Sequence, residues 1–271
     1  MRKLLKKIIR VLTIGITKNS IGLFAYQEIV DIAMGLQRNV YYGTHLMKFT
    51  VPNWLSNYRA ETFSSKEPET LDYIDAIPIG ETLWDIGANV GLYSVYAAKS
   101  RNCKVFAFEP SVFNLELLAR NIFINDLQLK ITIIPTALSD KLGSNVFKMS
   151  STTWGGALST FGEDFDQNGN KFLDVFEYST LGMTMEQAVS LLNVQIPQHI
   201  KMDVDGIEHF ILRGGQSILK NVKSILIEIN DSFTEQAHET EMHLKNAGLT
   251  LFKKCNLGSS NQFNQWWIRK S

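Results

Sequence analysis

From Ile79 onward the chain alternates short β-rich runs with helical segments, and that alternation restricts it to a mostly parallel sheet covered on both faces. Five strands are expected, over Thr82–Ile86, Lys104–Phe108, Ile131–Ala137, His199–Val204 and Ser224–Ile229. Tyr93–Lys99 and Phe113–Asn125 read as crossover helices. In the second, Leu115, Leu118 and Ile122 form an apolar stripe, and Ser111 suits the N-cap. Right-handed crossovers set these strands parallel. Leu249–Lys253 and Gln265–Arg269 read as an antiparallel pair at the sheet edge. The expectation is therefore an α/β fold with a doubly wound, mostly parallel, seven-stranded, Rossmann-like sheet.

About 60 residues separate the third and fourth strands, too many for a simple crossover. Val146–Met149 and Asp174–Tyr178 have strand character around a Gly-, Ser- and Asn-rich middle, and Met185–Leu192 reads as a helix. An insert over roughly 143–196 is thus expected to form a hairpin or flap that covers a substrate. Residues 1–78 read as a partly helical extension ahead of a domain over 79–271, with the polar run Ser64–Glu69 near the boundary.

A formal net charge of zero argues against bulk nucleic-acid binding, which needs an excess of Lys and Arg on one surface. The balance hides an asymmetry: Arg2, Lys3, Lys6, Lys7, Arg10 and Lys18 all precede the first acid, Glu28. Leu4, Leu5, Ile8 and Leu12 fall at helical spacing among them. That pattern suits peripheral contact with an anionic membrane through residues 1–18, and it equally suits a docking helix with a solvated basic side. No apolar run reaches the roughly 18 residues of a spanning helix. Val11–Ile16 ends at Lys18 with no small-residue cleavage pattern, so a secretory signal is not expected. Two distant cysteines, Cys103 and Cys255, give no disulfide framework and favour a reducing, cytoplasmic setting.

The chemistry centres on Leu83-Trp84-Asp85-Ile86-Gly87-Ala88-Asn89-Val90-Gly91, where a strand runs into a glycine-bearing turn and then a helix. Gly87 and Gly91 let the backbone turn tightly and approach a ligand, and the helix offers unpaired N–H groups. A dinucleotide site would show Gly-x-Gly-x-x-Gly and seat a pyrophosphate. Here the spacing is Gly-x-Asn-x-Gly behind an acid, which would repel a pyrophosphate but pair with an ammonium group. A cationic amino-acid ligand, S-adenosylmethionine, therefore suits the turn. Phe106-Ala107-Phe108-Glu109-Pro110 ends the second strand, where Glu109 is placed to accept hydrogen bonds from ribose hydroxyls.

Three separated segments resemble the FkbM family of methyltransferases, in order. They are Asp85-Ile-Gly87-Ala-Asn89-Val-Gly91-Leu-Tyr93-Ser94 with Phe108-Glu109-Pro110, then Ala137-Leu138-Ser139-Asp140, then Lys201-Met-Asp203-Val-Asp205-Gly206-Ile-Glu208. The resemblance covers residues 80 to about 230 and implies a class I, S-adenosylmethionine-dependent fold acting on hydroxyls of sugars, glycans, glycolipids or natural products. It implies that Asp85, Gly87, Asn89 and Gly91 hold the amino-acid end and that Glu109 binds the ribose. Residues beside Ser139 and Asp140 would border the adenine, and Asp203 would lie near the methionine. Ala88, Tyr93, Ser94, Pro110 and Asn114 complete the implied cofactor set. The insert is poorly matched, with Thr184-Met185-Glu186 where the family has Leu-Asp, so the acceptor is not inherited with the fold.

For catalysis the candidates are Asp205, as base or acceptor-positioning group, with Glu208 in support; Gly206 permits the turn between them. A ligand-orienting helix cap is the competing reading of these acids. A divalent metal held by Asp203 or Asp205 with Glu228, Asn230 or Asp231 is chemically possible but not favoured, and no metal ligand is assigned. Asp164-x-Asp166-x-Asn168-Gly169 starts like a calcium loop, yet Val175 stands where the closing Glu belongs. His238 and His243 do not share a helical face, and no Gly-x-Ser-x-Gly elbow or Walker-type loop occurs. Amino-group methylation would call for an Asn/Asp-Pro-Pro-aromatic segment after the fourth strand, which is missing. A catalytically silent cofactor-binding or membrane-associated scaffold is the non-enzymatic alternative.

Overall fold

A computed structural model describes residues 2–256 and 261–270. Numbering only the strands of its central sheet, these are β1 Thr82–Ile86, β2 Lys104–Phe108, β3 Ile131–Ile134, β4 His199–Met202, β5 Ser224–Asn230, β6 Leu249–Asn256 and β7 Gln262–Arg269. Their order is β3-β2-β1-β4-β5-β7-β6. The first five run parallel, and β7 lies antiparallel between β5 and β6. The closing pair is antiparallel as expected, but only β6 is an edge strand.

Alternation along the strands explains the two covered faces. Trp84, Ile86, Phe106 and Phe108 point into one apolar cluster, and Leu83, Val105 and Ala107 point into the other. Helices Leu92–Ser100 and Val112–Phe123 follow β1 and β2. Ser111 occupies the expected N-cap position, but its hydroxyl makes no capping bond.

Two strands are shorter than the sequence suggests. After Met202 the chain leaves the extended region, because Asp205 and Gly206 adopt φ of 61° and 122°. Ala137–Leu138 leaves the central sheet and pairs with residues 182–183 of a second, four-stranded sheet. That sheet is the insert. Gly143–Met149 pairs antiparallel with Phe176–Met183 and with Ser159–Phe161, and helix Met185–Leu192 follows with a complete Thr184–Gln187 capping box.

The extension divides into two parts. Residues 37–77 pack on the sheet: the Tyr73 hydroxyl donates to the Ile200 carbonyl (2.8 Å) and accepts the Ile200 N–H (3.2 Å), with Leu71, Ile74 and Ile77 fully buried beside it. A boundary near residue 78 therefore falls inside continuous packing. Helices Arg2–Ile16 and Ser20–Gly35 stand outside that packing. Among the described residues, no helix is long and apolar enough to cross a membrane.

Candidate active site

The turn after β1 is built from three residues at positive φ, Gly87 (81°), Asn89 (52°) and Gly91 (79°). A Cβ on Gly87 would stand 1.9 Å from the Asp203 carbonyl oxygen, so the close approach of the β1 and β4 ends requires glycine there. The N–H groups of Gly87 and Ala88 both donate to the Phe108 carbonyl, each at 3.0 Å, which fixes the turn against the end of β2. Gly91 opens the following helix, with Leu118 packed where a side chain would go.

Glu109 closes the other side of this mouth. Its carboxylate accepts the Asn89 N–H (2.8 Å) and the Ser111 N–H (2.7 Å). Burial pushes its carboxyl up to about 7 against the pull of those two donors. Asn89 and Asn114 reach from the two helix starts to the insert: both side-chain amides donate to the Gly156 carbonyl (2.7 and 3.1 Å), and Asn114 also accepts the Gly155 N–H (3.0 Å). The insert thus lies as a flap across the opening.

Asp85 plays a different part from direct contact. It is 1% exposed and stands behind the cavity wall, accepting a hydrogen bond from the Ser94 hydroxyl at 2.6 Å. The Lys201 ammonium lies 3.6 Å from Asp85 and 3.6 Å from Asp203, over the Tyr93 ring at 5.4 Å. Burial works against the charge of Lys201, but Asp203, Asp85 and Glu67 outweigh it and raise its pKa. Asp85 and Ser94 therefore seat Lys201, and Lys201 is what the cavity meets.

On the β4 side, Asp203 and Asp205 both line the cavity. One Asp205 oxygen accepts the Leu158 (2.8 Å) and Ser159 (3.2 Å) N–H groups of the flap. Burial, aided by the neighbouring Asp203, lifts its carboxyl to about 6. Glu208, expected in support of Asp205, stands apart from the cavity lining. It is buried behind the loop, accepts the N–H groups of Val204 and Gly206 (both 3.1 Å), and does not reach the cavity, so it clamps the turn that carries Asp205. Glu228, at the end of β5, does line the cavity; burial and then Asp203 and Asp205 push it up to about 10.

Of the expected residues, Gly87, Ala88, Asn89, Tyr93, Glu109, Pro110, Asn114, Asp203 and Asp205 line one cavity, whereas Asp85, Gly91 and Ser94 form its backing. Ser139 and Asp140 fall outside it. The Ser139 N–H pairs with Met183 and Asp140 meets Arg213 at 3.3 Å, while Thr136, Ala137 and Leu138 line the wall just before them. The chain turns into the second sheet at that point and carries the two polar residues away.

Several lining residues had no assigned role. Arg59, Phe63, Lys66 and Glu67 come from the extension, and Gln167 and Gln262 from the insert and β7. Lys66 and Glu67 sit in the very run that reads as a linker, so composition concealed them. The polar Lys201, buried within an apolar strand, was the one available signal for its role. Metal ligands do not assemble: among the described residues no three His, Cys, Asp or Glu side chains could hold an ion. Asn230 is engaged by Gln167 and Asn168, and Asp231 by Lys254.

The lining fits a sulfonium nucleoside. Glu109, Asp203, Asp205 and Glu228 bring carboxyls to the cavity wall, and burial is the main reason those of Glu109, Asp205 and Glu228 are raised, so a cationic ligand placed among them would favour their ionised forms. Glu109 would take the ribose hydroxyls, and the Gly87–Gly91 turn with Asp203 would hold the amino-acid end. Hexuronic acid methyltransferase AglP of Haloferax volcanii is 25% identical over 187 residues, covering 68% of this chain and 70% of that protein. The methyltransferase FkbM structure from Methylobacillus flagellatus superposes with a TM-score of 0.47 at 14% identity, covering 70% of this chain and 43% of that one. PH0793 of Pyrococcus horikoshii reaches a TM-score of 0.50 at 12% identity, over 87% of this chain and 72% of that one. The family model for the methyltransferase FkbM domain matches residues 85–251, more than half the chain and the whole of the site from Asp85 to Glu228. The chain belongs to the FkbM methyltransferase family, and S-adenosylmethionine is its methyl donor.

Proposed function

We propose that the chain methylates a hydroxyl group on a sugar, a glycan or glycolipid, or a glycosylated small molecule. The observation that carries this reading is Asp205, a carboxyl in the cavity wall whose pKa of about 6 leaves it ionised near neutrality and able to take a proton. The hexuronic acid relative supports a sugar acceptor.

The bound donor supplies an activated methyl carbon on sulfur. The residues of the chain then have three tasks. Glu109 and the Gly87–Gly91 turn would hold the nucleoside and so fix its position in the cavity. The flap, held by Asn89, Asn114 and Asp205, excludes water from the cavity. Asp205 would accept the proton that the acceptor hydroxyl gives up on methylation, and Glu208 keeps the Asp205 turn in place. Arg59, Gln167 and Gln262 line the cavity with polar groups suited to sugar hydroxyls.

Labelled-methyl transfer across free glycans, glycolipids and hydroxylated small molecules, with hexuronic acids included, tests the reading, and mass spectrometry locates the new methyl group. Asp205→Asn is expected to reduce turnover by about a hundredfold or more while donor affinity stays within about threefold. Transfer to amino groups alone, or full turnover in Asp205→Asn, would refute it.

A further inference from the structure

The first two helices form a hairpin that the body of the protein does not cover. Arg2–Ile16 and Ser20–Gly35 meet at a short turn, where Asn19 accepts the Gly22 N–H (2.8 Å) and the Thr17 hydroxyl donates to the Thr13 carbonyl (3.1 Å). A Cβ on Gly22 would lie 2.0 Å from the Ile16 carbonyl oxygen, so the two helices approach closely there. The turn is therefore specified, not a loose end.

No residue of the second helix is buried. Leu5, Ile8 and Leu12 on the first helix and Ile21, Phe24 and Ile29 on the second are all exposed, Ile21 by 83%. In water so many exposed apolar side chains on two neighbouring helices are unfavourable, and a concentration of this kind marks an interaction surface.

The charges identify its partner. At 3.6 residues per turn, Lys3, Lys6, Lys7 and Arg10 share one side of the first helix, opposite Leu5, Ile8 and Leu12. No acid interrupts the chain before Glu28. A second copy of the hairpin would bring like charges together, whereas an anionic surface satisfies the basic stripe and the apolar face at once. Length settles the mode. Sixteen residues extend only about 24 Å, less than the roughly 30 Å hydrocarbon layer, so the helices lie in the interface without crossing it.

We propose that the hairpin Arg2–Gly35 embeds in the surface layer of an anionic lipid membrane. Apolar faces meet the acyl chains, and Lys3, Lys6, Lys7 and Arg10 meet the headgroup phosphates. The anchor is joined firmly to the catalytic body. The Val51 N–H donates to the Leu36 carbonyl (2.8 Å), and the Thr50 N–H donates to Asn121 (2.7 Å) beside the Val90 turn. The proposal does not depend on the acceptor chemistry.

Co-sedimentation of the full chain with phosphatidylcholine vesicles, with and without phosphatidylglycerol, tests it. Partitioning is expected to rise at least roughly tenfold with the anionic lipid and to fall with salt. Replacing Lys3, Lys6, Lys7 and Arg10 together by Glu should lower it by about a hundredfold or more, since each basic side chain contributes roughly fivefold. Phe24→Trp should show fluorescence quenched by bromine-labelled acyl chains, a readout that holds even where the charge variant fails to fold. S-adenosylmethionine affinity, measured in parallel, reports the integrity of the body. Equal partitioning onto neutral vesicles, indifference to the charge variant, absence of quenching, or a stable dimer that ignores vesicles would each overturn the proposal.

Discussion

The two walls of the cavity are built on opposite principles. On the β1–β2 side, Gly87, Asn89, Glu109 and Asn114 are contributed by the ends of adjacent strands and the helix starts that follow, and their polar groups are paired with main-chain groups of that turn and of the flap. On the β4–β5 side, Asp203, Asp205 and Glu228 crowd together with Lys201 as the buried counter-charge, and their neighbours Arg59, Lys66, Gln167 and Gln262 come from distant segments. The first wall is satisfied before anything binds. The second gathers Asp203 and Asp205 around the buried ammonium of Lys201, with Glu228 beside them pushed up to about 10, so its groups are held by charge across distant parts of the chain.

The division makes ordered predictions. Lys201→Met should be the most severe change, because it leaves Asp85 buried at 1% exposure with only Ser94 as partner. A loss of about 3–5 kcal/mol in denaturant unfolding is expected. Gly87→Ala comes next, at about 2–3 kcal/mol with donor binding abolished, since its methyl group would overlap the Asp203 carbonyl at an unfavourable positive φ. If alanine is tolerated there, the close approach of β1 and β4 is not what shapes the turn.

Effects on the first wall alone should be smaller and local. Asn114→Ala removes two hydrogen bonds to the flap, so amide exchange at Gly155 and Gly156 should accelerate by the equivalent of about 1–2 kcal/mol while β1 and β2 stay protected.

The smallest effect is a pH trend. Folding raises the carboxyls of Glu109 and Glu208 to about 7 and that of Glu228 to about 10, so the stability they contribute is present at low pH and lost as pH rises through 7 and, for Glu228, on toward 10. Below pH 6.5 this trend is opposed by His209, His199 and His243, which burial pushes down. Above about pH 7.5 the histidines are essentially neutral in both states, so the thermal midpoint of the ligand-free protein should fall by about 2–4 °C between roughly pH 7.5 and 8.5, and less with donor bound. A rise over that range would show that the acids are not held as described.

What could be read from the sequence follows the same division. β1 and β2 match their expected ranges because each is short, apolar and bounded by a glycine turn or an acid, all local signals. Helix Met185–Leu192 was legible for a similar reason, its capping residues being adjacent to it. The β4 wall was not legible. Whether Asp205 faces the cavity and Glu208 does not depends on the positive φ values at 205 and 206, which curl the chain after Met202 and turn one acid inward and the other into a clamp. Nor did spacing place Arg59 and Glu67 in the site. They reach it because helix Trp54–Glu61 and the start of Pro68–Asp75 dock on the sheet through contacts such as Tyr73 with Ile200, more than a hundred residues away in the chain. Ser139 and Asp140 lie just beyond the point where the backbone changes sheets, a tertiary event with no local mark.

Calorimetric titration of S-adenosylmethionine into Glu109→Gln and Asp205→Asn, side by side with the parent chain, compares the two walls directly. A carboxylate that accepts ribose hydroxyls contributes about 1.5–3 kcal/mol, so Glu109→Gln should weaken binding by roughly ten- to a hundredfold while Asp205→Asn changes it little. Equal weakening in both variants, or undiminished affinity in Glu109→Gln, would contradict the assignment of Glu109 to the donor and Asp205 to the acceptor.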